Sequence, residues 1–355
     1  MTTRRNLNDT PLLGTVKNSV YFRHHRENPL SLDCLIVDEA SMVDLALMSK
    51  LVAALPDHAR LILLGDMDQL SSVEAGSVLG DICAGITQPE TPLGQSIVKL
   101  QKSYRFDDQK GIGKLSRLIN EGKAKQAWDF IHPTTNDQVK WNFLPLKKDL
   151  KSKIREALLP FYQSYFAADT IEAAFSKFKE FSILCGLRNG SYGAEQINQV
   201  IETILVEEEM IALEETWYKG RPIMITRNDY QLNLFNGDVG ILFTDPEDGR
   251  RKAFFETTDP SEFRRITASR LPEHESVFAM TVHKSQGSEF KRVLLLLPDV
   301  ESEVLTRELV YTGITRAREN VEIWGVKKVF LQSIHKQCKR NSGLKEKLFS
   351  DRISR

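Results

Sequence analysis

The stretch that most constrains the fold is LDCLIVDEAS at residues 32–41, where a mostly apolar run ends in two adjacent carboxylates. A short apolar run of this kind predicts a strand buried on both faces, as in a parallel sheet. Ligands of open α/β sheets lie beyond the carboxyl ends of the strands, where Asp38 and Glu39 would be placed. Two carboxylates there suit metal–phosphate chemistry, with one anchoring Mg²⁺ and the other orienting an attacking water. The alternative is a pair of solvated acids that begins a helix at Ser41.

A second strand follows soon after the first. Residues 42–55 carry apolar residues at helical spacing, and the apolar run RLILL at residues 60–64 predicts a second buried strand. Strand, helix and strand of this length make a βαβ unit. That unit places Gln69, in GDMDQL, at the same sheet edge as Asp38 and Glu39. An amide there can sense a γ-phosphate, and the alternative is an ordinary turn residue.

Composition limits the class of protein. The chain has 355 residues, of which 41% are hydrophobic and 27% charged, as in a soluble globular protein of two domains. Because 48 Lys and Arg residues balance 48 Asp and Glu residues, the chain has no net positive charge that would indicate nucleic-acid binding. A local basic channel is compatible with the same composition. The four cysteines are widely separated, which fits neither a zinc site nor a disulfide framework. With no membrane-span or signal pattern, we expect a cytoplasmic protein.

The rest of the chain predicts scaffold helices and then a second α/β unit. A small insertion of antiparallel strands is expected at residues 235–272, after the hairpin signal Asn-Gly-Asp at residues 236–238. Helices are predicted at residues 112–180, 194–215 and 307–318, and strands at residues 181–184, 222–226, 277–282, 293–297 and 321–326.

Six short motifs then recur in a fixed order: DEAS, GDMDQL, SYR, LFNGDVG, TVHKSQGSEF and YTGITRAR. Each alone is weak, but the series closely resembles motifs II to VI of the superfamily 1 helicases. FRHHRENPL before DEASMVDL looks like the RecD family, the alpha subunits of bacterial exodeoxyribonuclease V. The resemblance begins near Leu12 and reaches the C-terminus. It implies a P-loop NTPase α/β fold with tandem RecA-like domains: a truncated first domain at residues 1–102 and a second at 103–355, with a β-barrel-like insertion at 235–272.

The same resemblance assigns roles in nucleotide chemistry. It implies that Asp38 holds Mg²⁺, that Glu39 positions the hydrolytic water of ATP, and that Gln69 couples the γ-phosphate to the DNA-facing surface. Arg105 and Arg316 would bind the nucleotide and stabilise developing charge on the transferred phosphoryl group. A guanidinium suits this role because it presents a fixed fork of donors to phosphate oxygens. For Arg316 the alternative is a salt bridge on a helix surface.

The motif TVHKSQGSEF supplies the remaining candidates. By the resemblance, His283, Ser285 and Gln286 line the single-strand groove or couple it to the nucleotide, whereas Gly287 and Glu289 face the nucleotide. The implied partners are single- and double-stranded DNA and the RecB-like and RecC-like subunits of a heterotrimer, with no membrane.

One expected motif is missing from the sequence. An ATPase of this type needs G-x-x-x-x-G-K-[ST], whose backbone N–H groups and lysine cradle the phosphates. The nearest stretch, GIGKLS at residues 111–116, has Asp108 in place of the first glycine and Leu115 in place of the hydroxyl. In the family this loop precedes the DEAS strand, so the chain is expected to lack its first strand and phosphate loop. We therefore expect an exposed apolar surface or edge on the first sheet, and poor solubility or dependence on a partner.

Two hypotheses follow from these patterns. The first is an ATP-dependent 5′→3′ DNA helicase subunit of a RecBCD-type exodeoxyribonuclease V complex, acting in double-strand break repair and recombination. The second is a catalytically inactive helicase fragment that only binds single-stranded DNA or partner subunits. An autonomous nuclease is disfavoured, because the sequence shows no separate metal-carboxylate cluster and DNA cutting in the family's complex belongs to another chain.

Overall fold

The computed structural model describes residues 12–14, 22–71, 77–100, 105–107, 109–132, 137–259, 262–338 and 343–349. The chain divides into unit 1, comprising Met1–Ser103 and Cys338–Arg355, and unit 2, comprising Tyr104–Gln337. The sequence assigned residues 338–355 to the second domain, and the structure differs there. The reason is packing, since Leu344 lies against the apolar core of unit 1.

The regular elements run as follows. The strands are β1 (Cys34–Val37), β2 (Arg60–Leu63), β3 (Val139–Phe143), β4 (Phe181–Cys185), β5 (Pro222–Ile225), β6 (Val239–Thr244), β7 (Arg251–Glu256), β8 (Phe263–Thr267), β9 (His274–Ser276), β10 (Ala279–Thr281), β11 (Phe290–Leu296) and β12 (Ala317–Gly325). The helices are α1 (Leu45–Ala53), α2 (Val78–Cys83), α3 (Pro92–Gln95), α4 (Gly111–Asn120), α5 (Ala124–Ile131), α6 (Leu150–Phe166), α7 (Ile171–Phe178), α8 (Ala194–Glu207), α9 (Arg307–Thr315), α10 (Lys327–His335) and α11 (Leu344–Phe349).

Unit 1 contains the predicted βαβ unit. Strands β1 and β2 pair in parallel, with Val37 opposite Leu63, and α1 connects them. Asp44 caps α1, because its Oδ1 accepts a hydrogen bond from the N–H of Leu47 at 2.8 Å. Val37 and Leu51 are almost fully buried in the core that α1 covers. This packing holds the carboxyl ends of both strands at one edge.

The outer face of this sheet is uncovered in the described structure. Ile36 is 55% exposed, and its cross-strand neighbour Ile62 is 42% exposed. The prediction that the first strand is buried on both faces is therefore wrong, because α1 covers only one side. The exposed apolar surface that was expected on the first sheet is confirmed.

This exposed pair yields a prediction about solubility. The double change Ile36→Thr with Ile62→Thr is expected to raise the temperature at which the chain aggregates, because it removes contiguous apolar surface while keeping β-branched residues. Its free energy of unfolding should change by less than about 0.5 kcal/mol, as for other surface positions. The matched control, Leu61→Thr on the covered face, should lower that free energy by about 1–3 kcal/mol. Equal aggregation of the double variant and the parent, followed by light scattering during heating, would contradict the prediction.

Unit 2 is built on a parallel five-stranded sheet in the order β10-β4-β11-β12-β3. Strand β3 lies in the stretch that the sequence assigned to helices, so this assignment is wrong there. Val139 and Trp141 are buried, whereas Lys140 between them is exposed, which is the alternation of a sheet strand. The strand is short and paired on one side, with β12. GIGKLS begins α4, so the nearest match to a phosphate loop is a helix.

A second sheet of unit 2 is antiparallel, in the order β8-β7-β6-β5-β9. It extends from Pro222 to Ser276, whereas the sequence predicted an insertion at residues 235–272 only. Closure into a barrel is not confirmed, since the pairings among the described residues leave β8 and β9 at opposite ends. The α/β class with parallel sheets is confirmed. In the described part of the chain, none of the helices has the length and apolar character required to span a bilayer.

Candidate functional site

The first group of candidate residues follows β1 in unit 1. Asp38 is exposed, and its Oδ1 accepts a hydrogen bond from the backbone N–H of Glu39 at 2.9 Å. Glu39 adopts a left-handed backbone conformation, with φ 53° and ψ 38°. This conformation is unfavourable for a residue with a Cβ, and such strain concentrates at functional sites. The turn at Ala40–Met42 follows at once, so both carboxylates lie at the carboxyl end of the strand, as predicted.

The loop after β2 leaves the same sheet edge. The N–H of Ala40 donates to the carbonyl of Leu64 at 2.9 Å, which ties the two loops together. A Cβ at Gly65 would approach the nitrogen of Ala40 to 3.1 Å and a methyl of Leu79 to 2.8 Å. The lack of a side chain at Gly65 thus lets the second loop pass close to the first.

Gln69 has an oriented side chain in this loop. Its Nε2 donates to Oδ2 of Asp66 at 3.2 Å, and Oδ1 of Asp66 accepts from the N–H of Asp68 at 3.0 Å. Asp66 therefore fixes both the backbone of this loop and the side-chain amide of Gln69. The structure places Gln69 at the sheet edge that also carries Asp38 and Glu39.

The chemistry of this edge fits a magnesium ion. The described residues contain no group of three or more His, Cys, Asp or Glu that could hold a metal by themselves. Mg²⁺ needs no such group, because it is commonly held by one or two carboxylates together with waters and substrate phosphates. An exposed carboxylate with one oxygen fixed by a backbone N–H, as in Asp38, suits that mode of binding.

The second group of candidates lies within unit 2 and centres on Glu289. One carboxylate oxygen, Oε1, accepts from Nη1 of Arg105 at 2.6 Å. The other, Oε2, accepts from Nε of Arg318 at 2.7 Å. Arg105 also lies over the ring of Phe106, 4.8 Å from its centroid. Burial lowers the pKa of Arg105, and repulsion from Arg316 and Arg318 adds to this, whereas Glu289 opposes it.

Arg316 belongs to the same neighbourhood. It is 3% exposed, and its Nη1 donates to the carbonyl of Ser288 at 3.3 Å. The predicted helix over residues 307–318 is too long, because α9 ends at Thr315 and Arg316 is its C-terminal cap. Arg316 is therefore a buried guanidinium and not a side chain of the helix surface.

These residues gather at the amino ends of β11 and β12. The N–H of Phe290, the first residue of β11, donates to the carbonyl of Arg316 at 2.9 Å. Gly287 has φ +74°, a left-handed conformation that favours glycine, and it carries the chain into Ser288 and Glu289. The pairing of these two strands thus brings Glu289 near Arg316, and Arg105 joins them through its hydrogen bond to Glu289.

The candidates for the DNA groove occupy a turn after β10. His283 and Gln286 are half-buried there, and the N–H of Gln286 donates to the carbonyl of His283 at 3.3 Å. Ser285 is wholly buried, and its hydroxyl donates to the carbonyl of Val282 at 2.8 Å. The Ser285 side chain therefore fixes the turn, and its role in lining the groove or coupling it to the nucleotide stays a prediction.

Two residues of these groups were missed by reasoning from sequence. Asp66 orients Gln69, and the signal was available in the spacing of GDMDQ, which lets an Asx side chain reach residues two and three positions ahead. Arg318 contacts Glu289 from the start of β12. Its place in a strand was concealed because the sequence assigned residues 307–318 to a helix.

Two family models match parts of the chain that contain these groups. An AAA domain model matches residues 9–141, and a UvrD-like helicase C-terminal domain model matches residues 276–323. The first match contains Asp38, Glu39 and Gln69, and the second contains Glu289 and Arg316.

Curated relatives agree with these matches. The RecBCD enzyme subunit RecD of Haemophilus influenzae is 36% identical over 94% of this chain, and the chain covers 57% of that relative. The ATP-dependent RecD2 DNA helicase of Deinococcus radiodurans is 30% identical over 84% of the chain and 37% of the relative. A crystal structure of Bacteroides Pif1 bound to ssDNA matches 84% of this chain and 72% of its own, with 14% identity and a TM-score of 0.45. The chain spans little more than half the length of the RecD relative, and nearly all of the chain is similar in sequence to that RecBCD enzyme subunit.

Proposed function

We propose that this chain is an ATP-dependent DNA helicase subunit of a RecBCD-type complex, and that it moves 5′→3′ along a single strand. The observation that carries the proposal is the pair Asp38–Glu39 at the carboxyl end of a parallel strand, in a chain 36% identical to a RecD subunit. The order of the remaining motifs supports the same activity. The direction of movement comes from the family resemblance.

In unit 1, the residues around Asp38 would handle the nucleotide. Asp38 would hold Mg²⁺, and the bound ion supplies neutralising charge to phosphate oxygens. Glu39 orients the attacking water and accepts its proton. Its left-handed backbone conformation fixes the direction in which the side chain leaves the backbone. Asp66 holds the amide of Gln69 so that it can contact the terminal phosphate.

In unit 2, Arg105 and Arg316 supply positive charge to the phosphoryl group. Arg316 is buried and braced on the carbonyl of Ser288, so little side-chain freedom remains to be lost on binding. Arg105 is partly buried among other guanidinium groups, which disfavours its charged form in the absence of an anion. A phosphate brought near both would relieve that repulsion and gain charge-assisted hydrogen bonds.

The remaining assignments are part of the same proposal. Single-stranded DNA runs past the turn that carries His283 and Gln286. RecB-like and RecC-like subunits complete a heterotrimer; in support, the name of the Haemophilus relative calls that protein a subunit of the RecBCD enzyme. Such a complex would act on broken double-stranded DNA in the cytoplasm, in repair and recombination.

A second candidate function has a specific observation in its favour. The 355 residues contain no G-x-x-x-x-G-K-[ST] stretch, although ATPases of this class use its backbone N–H groups and lysine to hold phosphates. Under this alternative the chain binds single-stranded DNA or partner subunits without hydrolysing ATP. Its DNA affinity would then be the same with and without nucleotide.

Unwinding assays separate these proposals. Partial duplexes carrying either a 5′ or a 3′ single-stranded tail would be mixed with the full chain and its RecB-like and RecC-like partners. The partners' own motor activity would be removed by mutation. We expect ATP-dependent strand separation from the 5′ tail only. Separation from the 3′ tail only would reject the direction, and tail binding unaffected by ATP, without unwinding, would favour the binding module.

A further inference from the structure

The carboxylate of Glu289 is shared between two arginines. Its two oxygens accept hydrogen bonds from Arg105 at 2.6 Å and from Arg318 at 2.7 Å. The two partners are 184 residues before it and 29 residues after it in the chain. This arrangement is the one that a phosphate oxygen pair would adopt between two guanidinium groups.

Arg105 and Arg318 share one carboxylate, and Arg316 lies close enough to Arg105 to repel it. Arg105 feels repulsion from both Arg316 and Arg318, and attraction to Glu289. The side chain of Arg105 is 31% exposed and that of Arg318 is 65% exposed, so solvent and solutes can reach both. A polyphosphate carries more negative charge than one carboxylate, so it can compete with Glu289 for the guanidinium groups of Arg105 and Arg318.

We propose that Glu289 is a built-in substitute for phosphate, which holds Arg105 and Arg318 together until a polyphosphate displaces it. The inference rests on the proposed nucleotide chemistry and adds two elements to it. Arg318 is a third arginine that contacts the phosphate chain, and Glu289 competes with the ligand. In the bound state the carboxylate gives up its two hydrogen bonds and the phosphate oxygens accept them.

This role predicts an effect opposite in sign to the one implied by the family resemblance. If Glu289 contacted the nucleotide directly, its removal would weaken binding. If it competes for the arginines, its removal strengthens binding. Inorganic tripolyphosphate tests the difference, because it has the phosphate chain but no ribose or base.

The experiment measures tripolyphosphate binding to the full chain by titration calorimetry. Glu289→Gln is expected to tighten binding about three- to tenfold, because the ligand no longer displaces two ion pairs. Arg318→Ala should weaken binding several-fold. The matched control is Glu207→Gln, since Glu207 also joins two cations, Lys151 at 2.7 Å and Arg155, and its side chain is 40% exposed against 35% for Glu289.

The outcomes are distinct. Unchanged or weaker binding by the Glu289 variant overturns the proposal, as does an equal gain in the Glu207 variant, which would reflect net charge alone. No measurable binding by either the parent or the Glu289 variant also overturns it. Because tripolyphosphate binding needs no turnover, tightened binding in a chain that never hydrolyses ATP would reject the ATPase proposal and leave this one standing.

Discussion

Replacing Arg316 with alanine is expected to lower DNA-stimulated ATP hydrolysis by at least about a thousandfold, the usual contribution of an arginine that stabilises a transferring phosphoryl group. The Arg316 guanidinium is held in one position, since it is 3% exposed and braced on the Ser288 carbonyl. The charge it supplies matters most in the transition state. The loss should therefore lie in kcat rather than in KM.

Two companion variants sharpen this test. Arg316→Lys keeps the charge but lacks the planar fork of donors, so it should recover only a small part of the activity. Arg155→Ala removes a guanidinium that bridges Glu207 and Glu208 far from the motifs, and it should leave hydrolysis unchanged. Circular dichroism checks that the buried substitution leaves the fold intact. Full activity in a folded Arg316→Ala chain would remove this residue from the mechanism.

Replacing Glu39 with glutamine is expected to lower ATP hydrolysis by about a hundredfold or more while sparing DNA binding. Glutamine has the shape of glutamate, and it fits the backbone conformation at φ 53° as well as glutamate does. Its amide, however, cannot accept the proton of an attacking water. Single-turnover hydrolysis and DNA binding by fluorescence anisotropy would be measured side by side. The expected result is a chain that still binds DNA but has lost ATP turnover.

The control for Glu39 is another glutamate of unit 1. Glu27 is exposed, and its backbone N–H donates a hydrogen bond to Nδ1 of His25 at 3.3 Å. Glu27→Gln should hydrolyse ATP at the parent rate. Loss of DNA binding in the Glu39 variant would instead point to a structural role for the strained turn.

Much of the fold follows from apolar patterning. Strand β4, with four of its five residues buried, and the apolar half of β11 are continuous runs that only a covered parallel sheet accommodates, and both lie where predicted. Strand β3 could not be found this way, because it pairs on one side and its alternation lies among helical segments. The uncovered face of β1 was likewise misjudged, since Ile36 looks like a core residue in the sequence.

The positions of the candidate site residues were also predictable from the sequence only in part. Asp38, Glu39 and Gln69 could be placed from sequence, because each follows an apolar run and parallel strands end at a common edge. The contacts of Glu289 could not, because they join residues 184 positions apart and depend on how β11 and β12 pair. The burial of Ser285 was likewise not predictable from its motif, because its hydroxyl braces its own turn.

The most direct test of the proposed function is ATP hydrolysis by the purified full chain, with and without single-stranded DNA. Millimolar ATP should be used, because the sequence has no phosphate-binding loop and weak nucleotide binding is expected. A working helicase motor predicts turnover that DNA stimulates and that Glu39→Gln removes. A folded chain that binds single-stranded DNA equally well with and without ATP, and shows no turnover, would contradict that account.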